Sequence, residues 1–238
     1  MKSLKEALLN RKKNIDVARL AAEEYINTNY IIKGKLTFET VNGTYIANCD
    51  GHVEVKNKKI VKITEGFEWG IVKGVFDCFE CKNLESLKGA PKEAWEFNCA
   101  CCHSLKSLEG GPKEVGSGGF YCDECNLESL EGAPEKVKGD FYCKDCPNLK
   151  TLEGSPEEVG GEFSCCHCNN LTSLKGAPKK VGGIFNCSWC ENLASLKGAP
   201  EKVRGGVFAC YSCAKLESLE GAPKNSRIEC DRQLKNEK

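Results

Sequence analysis

One unit of sequence recurs seven times between residues 74 and 230, and that constrains the fold more than any other feature. It reads Phe-x-Cys-x-x-Cys-x-x-Leu-x-x-Leu-x-Gly-Ala-Pro-x-x-Val. Its Phe positions are Phe76, Phe97, Phe120, Phe141, Phe163, Phe185 and Phe208, separated by 21, 23, 21, 22, 22 and 23 residues. Gly and Pro follow in step, from Gly89 and Pro91 to Gly221 and Pro223. A fixed period of this length marks stacked repeats, because one unit is too small to bury its own apolar edge and must cover its neighbour. Length slips fall between units, at Ser117–Gly118, at Arg204–Val207 and after Cys125, where stacked repeats tolerate them.

The unit has a local physical logic. Phe-x-Cys alternates, so both side chains face one side of a strand. Leu-x-x-Leu sends two more apolar groups inward. Gly-Ala-Pro turns the chain, since Gly reaches unusual backbone angles and Pro cannot extend a ladder. About 22 residues suit one short strand and an extended or single-turn return, too few for a strand and a long helix. The expected fold is therefore a β-rich solenoid: a parallel sheet on one face, short turns or single helical turns on the other. Phe, Leu and Cys form continuous columns, each buried Phe or Leu contributing roughly 1.5–3 kcal/mol.

Eighteen cysteines are the anomaly of composition. Seven Cys-x-x-Cys pairs, from Cys78/Cys81 to Cys210/Cys213, are spaced as in zinc ribbons. Three observations favour buried thiols acting as small hydrophobes. Both cysteines of each pair coincide with inward positions, seven pairs do not divide into four-cysteine sites, and Phe and Leu persist in every unit. Neighbouring strands about 4.8 Å apart leave a cross-unit metal site geometrically open. Disulfides are the third alternative. Cys101 and Cys166 fall outside the pairs, about 14 Å apart by strand spacing, too far to share one metal. Cys166 beside His167 is a possible ligand pair, weighed against two unrelated side chains on a repeat surface. The expectation is no metal and no cofactor.

The pattern resembles the leucine-rich repeat family, whose signature is Leu-x-x-Leu-x-Leu-x-x-Asn/Cys-x-Leu. In the fourth unit Phe141 and Cys143 stand at the strand leucines and Cys146 at the Asn/Cys position. The resemblance implies that the Cys146 side chain satisfies the turn backbone. It covers roughly residues 50–230 and is closest in kind to short bacterial and phage repeats. The chain departs from the family in using Phe and Cys for Leu, and in leaving two residues rather than one after the Cys. No ubiquitin-ligase domain of the kind some bacterial effectors carry is expected after the repeats.

The flanks divide into residues 1–30, read as a helical N-terminal cap; residues 31–73, a β-rich segment with degenerate repeats; and a polar tail over 231–238. Ser3 and Glu6 resemble a capping box. Val17, Leu20, Ala21 and Tyr25 have helical spacing and are expected to face the first repeats. Strands are expected at residues 35–38, 45–47, 52–55 and 60–63, with Val53-Glu-Val55-Lys-Asn57 a degenerate repeat and Phe67 and Trp69 in the core. Cys49 is assigned to that core and Ile228-Glu-Cys230 to a last strand.

For function, 34 basic against 34 acidic residues give a net charge of zero, without the basic bias of a phosphate binder, so nucleic acid is not expected as a direct ligand. No apolar run approaches the roughly 18 residues of a membrane span, and the start shows no secretion-signal core, so a cytoplasmic location is expected. His52, His103 and His167 have no recurring carboxylate or nucleophile beside them, and no glycine loop cradles phosphate, so an enzyme is not expected. Alternation sends the residue between Phe and Cys, and the one after that Cys, to solvent, and the next position adds Glu80, Glu124, Asp145, His167 and Trp189; a protein partner is expected on this surface. The candidate contacts are Tyr121, Tyr142, Phe79, Trp189, Tyr211, Asp123, Asp145 and His167: rigid aromatics of the type enriched at hot spots, with carboxylates suited to a partially basic partner. Tyr121 and Tyr142 are expected to be adjacent. The leading reading is a non-enzymatic interaction scaffold. Compactness, the lack of a catalytic domain and the family likeness suggest a sharper version, a phage or mobile-element inhibitor of bacterial defence such as an anti-CRISPR protein. A zinc-dependent nucleic-acid binder is the competing class.

Overall fold

Phenylalanine rings run along the axis of the molecule in one stack, and the chain coils around them. The computed structural model describes residues 4–231, with side chains from residue 17 onward. Helix α1 (Leu4–Asn29) leads into a short β segment: β1 (Tyr30–Lys33), β2 (Leu36–Val41), β3 (Thr44–Cys49) and β4 (His52–Val55). Strands β2 and β3 form an antiparallel hairpin, and β1 pairs antiparallel with β4. Three longer strands follow, β5 (Glu68–Asp77), β6 (Glu93–Asn98) and β7 (Glu114–Tyr121). Beyond them each coil carries two separate short strands: β8 (Lys136–Val137) and β9 (Phe141–Tyr142), β10 (Glu158–Val159) and β11 (Phe163–Ser164), β12 (Lys180–Val181) and β13 (Phe185–Asn186), β14 (Lys202–Val203) and β15 (Val207–Cys210). Strand β16 (Arg227–Cys230) closes the series.

The solenoid is thus a stack of parallel strands with coils of about 22 residues, as the repeat period predicts. The long strands β5–β7 branch into two ladders. One pairs the Phe positions through β9, β11, β13, β15 and β16; the other pairs the Val positions Val115, Val137, Val159, Val181 and Val203 through β8, β10, β12 and β14. This second ladder is absent from the one-strand-per-coil expectation. Its physical origin is the kink between Val and Phe, where glycines such as Gly139 and Gly161 let neighbouring backbones touch: a Cβ on Gly139 would lie 2.5 Å from the Ser117 carbonyl oxygen. The return side consists of turns, and α1 is the one helix among the described residues.

Six successive ring pairs, Phe76 to Phe208, lie 5.2–5.5 Å apart and within 21° of parallel. Offset stacking of this kind contributes about 0.5–1.5 kcal/mol per pair beyond burial itself. Val53 precedes the stack, paired with Phe76, and Ile228 follows it, paired with Phe208, so the degenerate coil and the last strand are both where the pattern put them. All seven Cys pairs and the leucines from Leu84 to Leu216 are buried. The Gly-Ala-Pro turns place glycine at φ +82 to +91° in every unit. At Gly132 a Cβ would also lie 2.2 Å from the Glu109 nitrogen, so glycine is required there twice over. Serine or threonine three residues before the turn glycine accepts a turn N–H, as Ser107 Oγ does from Glu109 at 3.1 Å. Between coils, exposed pairs such as Lys179–Glu157 (2.7 Å) and Lys150–Glu128 (2.8 Å) face water, which screens them, so they add little to the stacking.

The flanks bring corrections. Helix α1 docks through Ala22 and Ile26, with Tyr25 donating to the Lys62 carbonyl (3.0 Å), while Val17 and Leu20 are 66% and 65% exposed and Ala21 is also exposed. The expected stripe and the observed face differ by about a third of a turn, because the docking angle is set by Tyr30, Phe67 and Trp69 packing on one another. Residues 60–63 form no strand, and 61–63 are bends, although Ile60 and Ile63 are buried. Cys49, Phe67 and Trp69 join the core. Ser3 of the expected capping box and residues 232–238 lie outside the described residues, and Glu6 precedes the described side chains. Asp231, assigned to the tail, is tied in: its Oδ2 accepts the Ser212 N–H at 2.9 Å.

Candidate functional site

The Cys-x-x-Cys step is where each strand ends and the surface begins. Its second intervening residue adopts a left-handed backbone in all seven coils: Glu80, Cys101, Glu124, Asp145, His167, Trp189 and Ser212 have φ between 53 and 63°. This conformation costs a non-glycine residue roughly 1–2 kcal/mol. The structure offsets it with a repeated bond, in which the N–H of that residue donates to the next coil, from Glu80 to the Ala100 carbonyl (3.0 Å) through Trp189 to the Tyr211 carbonyl (2.7 Å). The seven side chains form a ridge along the edge of the sheet.

The same turn explains the second cysteine. In the Cys122 coil a continued ladder would aim the Lys144 N–H at the Cys122 carbonyl. That N–H instead donates to Asp123 Oδ1 at 2.7 Å, and the Cys146 thiol takes the vacated carbonyl at 3.4 Å. Equivalent bonds run from Cys102 to Cys78, Cys125 to Cys99, Cys168 to Cys143, Cys190 to Cys165 and Cys213 to Cys187, at 3.1–3.3 Å. The second thiols are therefore donors to strand-end carbonyls as well as small hydrophobes. No disulfide joins any of the cysteines from Cys49 to Cys213. Among the described residues no group of three or more His, Cys, Asp or Glu is arranged to hold a metal ion.

Burial sets the thiol chemistry. It pushes Cys99, Cys122, Cys143 and Cys187 well up, and Cys81, Cys210 and Cys213 up to about 12. Cys102 and Cys190 go the other way, held down by hydrogen bonds from Cys78 and Cys165, whose own values rise. Both lie inside the core. The half-buried Cys101 is raised to about 11 by desolvation, with Glu124 adding to it, and burial also raises Cys166. A reactive thiol needs a lowered value and access to solvent, and neither of these two has a lowered value.

The eight expected contact residues fall into two groups. Tyr121 and Tyr142 are adjacent as expected, with ring centroids 5.3 Å apart at 61°. They are half-buried and occupied: Tyr121 donates to the Gly118 carbonyl (2.6 Å), and the Tyr142 hydroxyl lies 3.3 Å from both Asp140 and Glu162, with Lys144 Nζ 3.5 Å over its ring. Burial, and then those two carboxylates, drive the Tyr142 phenol up. Asp123 is held by the Lys144 N–H and is raised by burial. These three serve the coil-to-coil packing.

Asp145, His167, Trp189, Phe79 and Tyr211 are exposed. His167 and Trp189 stack at 5.6 Å and 6° from parallel, Trp189 is 52% exposed, and Tyr211 follows on the next coil, its hydroxyl 3.2 Å from Glu229. Phe79 stands five coils from Trp189, about 24 Å at 4.8 Å per coil, so it does not join that cluster. The ridge therefore has an acidic half, with Glu80, Glu124 and Asp145, and an aromatic half, with His167 and Trp189, beside which Tyr211 of the next coil stands.

The expectation that the whole strand face is solvent-facing is corrected. Ala100, Ser164, Ser188 and Ala209 on it are buried, because the left-handed turn folds the ridge over the short strands. One exposed aromatic was missed: Trp95, 47% exposed, lies with Ile71 beside the Val ladder and over Gly116 and Gly118. The residue after each Val-ladder position points outward, a signal available from the repeat once that ladder is known. None of the described helices is long and apolar enough to cross a membrane. The chain matches no family model, no curated protein and no solved structure in comparisons with each.

Proposed function

We propose that this solenoid is a non-enzymatic scaffold that binds a protein partner along the ridge of left-handed residues, centred on Trp189. The observation that carries this reading is Trp189 itself. A bulky side chain in left-handed backbone is a costly choice where glycine or asparagine is cheapest, and the ring is left half in water. His167 stacks beneath it and Tyr211 flanks it, forming a rigid aromatic platform of the kind that anchors interfaces. Glu80, Glu124 and Asp145 continue the same ridge, so a partner with an apolar anchor site next to basic side chains fits best. The coils are read as leucine-rich-repeat-like, supported by the Cys146 thiol meeting a turn carbonyl where that family uses Asn or Cys.

Affinity capture from the source organism tests the reading. A protein retained in near-stoichiometric amount by the native chain is expected to be lost with the double change Trp189→Ala and Tyr211→Ala, and kept with Trp95→Ala. Equal capture by all three forms overturns the assignment of the ridge.

A further inference from the structure

We propose that two copies of this chain join end to end through β16, paired antiparallel about a two-fold axis at Ile228. The opposite end of the solenoid is covered by α1, through Ala22 and Ile26. At the other end β16 pairs only with β15 among the described residues, so its outer edge offers a strand template. In the preceding coils the Phe-position N–H donates to the next coil, as Phe120 does to the Asp140 carbonyl (2.8 Å), Phe141 to Glu162 (2.8 Å) and Phe163 to Ile184 (2.9 Å). Ile228 occupies that position in β16 and directs its N–H outward.

The side chains of β16 are self-complementary in one register. With Ile228 opposite Ile228 of the second copy, each N–H meets the other's carbonyl, and the two isoleucines extend the phenylalanine column across the axis. On the outer face the same register sets Arg227 of each copy opposite Glu229 of the other. Directly opposed residues of an antiparallel pair lie about 4.5–5.5 Å apart between Cβ atoms, within reach of an ion pair. Arg227 and Glu229 already pair within one chain at 2.5 Å, so they stand on the same face. On the inner face Ser226 falls opposite Cys230 of the second copy. Its hydroxyl is shielded from solvent and has no hydrogen-bond partner among the described residues. A two-fold contact needs one patch that complements itself, and this edge meets that condition in its charge, its apolar centre and its backbone.

Sedimentation equilibrium of the full chain, under reducing conditions, tests the proposal. The native protein is expected at twice the 26.1 kDa of one chain. Arg227→Glu and Glu229→Arg each put like charges opposite one another and are expected to weaken the dimer at least about tenfold. An equimolar mixture of the two variants regains dimer, as does the double swap in one chain, because both restore opposite charges across the axis. Unchanged circular dichroism and melting of the variants separate loss of the contact from loss of the fold. A native chain that stays monomeric across the micromolar range overturns the proposal, as does one whose own C-terminal residues cover the edge. So do open-ended polymers, which would point to head-to-tail pairing with β1, single variants that dimerise like the native chain, and a mixture that fails to recover.

Discussion

Replacing Cys146 by serine and by alanine separates the two roles a buried thiol can have. If the sulfur were only a small hydrophobe, alanine would be the milder change, since serine adds a hydroxyl to a dry core. The structure predicts the reverse. The Cys122 carbonyl lies at a strand end whose N–H partner has been diverted to Asp123, and the Cys146 thiol is its donor, at 3.4 Å. Alanine loses the packing of the sulfur, about 1 kcal/mol for a group near the size of one methylene. It also leaves a buried carbonyl without a donor, which costs about 1–3 kcal/mol. The expected loss is about 2–4 kcal/mol for Cys146→Ala and clearly less for Cys146→Ser. Cys143 is the internal control. Its thiol points at the Ser164 carbonyl (3.5 Å), which already accepts the Cys143 N–H (2.9 Å), so Cys143→Ala should cost only about 1 kcal/mol of packing. Urea unfolding under reducing conditions, followed by tryptophan fluorescence and far-ultraviolet circular dichroism, gives the ranking; coincident transitions are needed before free energies are compared, because stacked repeats can unfold in parts. Cys146→Ser less stable than Cys146→Ala, or equal losses at Cys143 and Cys146, would refute the hydrogen-bonding argument.

Other consequences of the geometry are open to measurement. Phe141→Ala removes a buried ring stacked at 5.2 and 5.3 Å on its two neighbours and should cost about 3–5 kcal/mol in the same unfolding assay. Gly132→Ala, with φ at +86° and a Cβ 2.2 Å from Glu109 N, should be far more damaging than Gly206→Ala, where φ is +73° but a Cβ meets nothing within 4 Å; melting temperatures rank the pair. Alkali should unfold the reduced protein. Thiols such as Cys81, Cys210 and Cys213 titrate higher in the folded chain, at about 12 against 9.0, so their stabilisation is whole below pH 9 and falls as the pH rises towards 12; a urea midpoint that does not fall from pH 9 to pH 11 contradicts this. At neutral pH, thiol labelling read by mass spectrometry should be slow throughout and reach Cys101 and Cys166 first, the other sixteen reacting on unfolding.

Much of the fold could be read from the period alone. When one unit stacks on the next, a residue type that recurs in phase meets itself, and a column of Phe, Leu or Cys must be inside or the coils gain nothing by stacking. The flanking segments lack that redundancy. Val17, Leu20, Ala21 and Tyr25 satisfy helical spacing as well as Ala22, Tyr25 and Ile26 do, and only contact with Tyr30 and Trp69 selects the second set. The candidate site was legible in part for a related reason. Tyr121 beside Tyr142, and Trp189 near Tyr211, follow from their places in the repeat. Their exposure does not, because it depends on where each strand stops.

The sequence by itself determined that the chain is a solenoid, which residues line its axis and where each coil turns, since these depend on periodicity and on the backbone limits of Gly and Pro. Tertiary structure alone decided that each strand ends at its first cysteine in a left-handed turn, that the second thiol answers a carbonyl one coil away, and that Ala100, Ser164, Ser188 and Ala209 of the strand face are buried while Trp189 on the ridge and Phe79 and Tyr211 beside it meet solvent. Nothing in Glu80, Cys101, Glu124, His167 or Trp189 favours left-handed backbone; the conformation is held by bonds to the next coil, and those exist only once the coils are stacked.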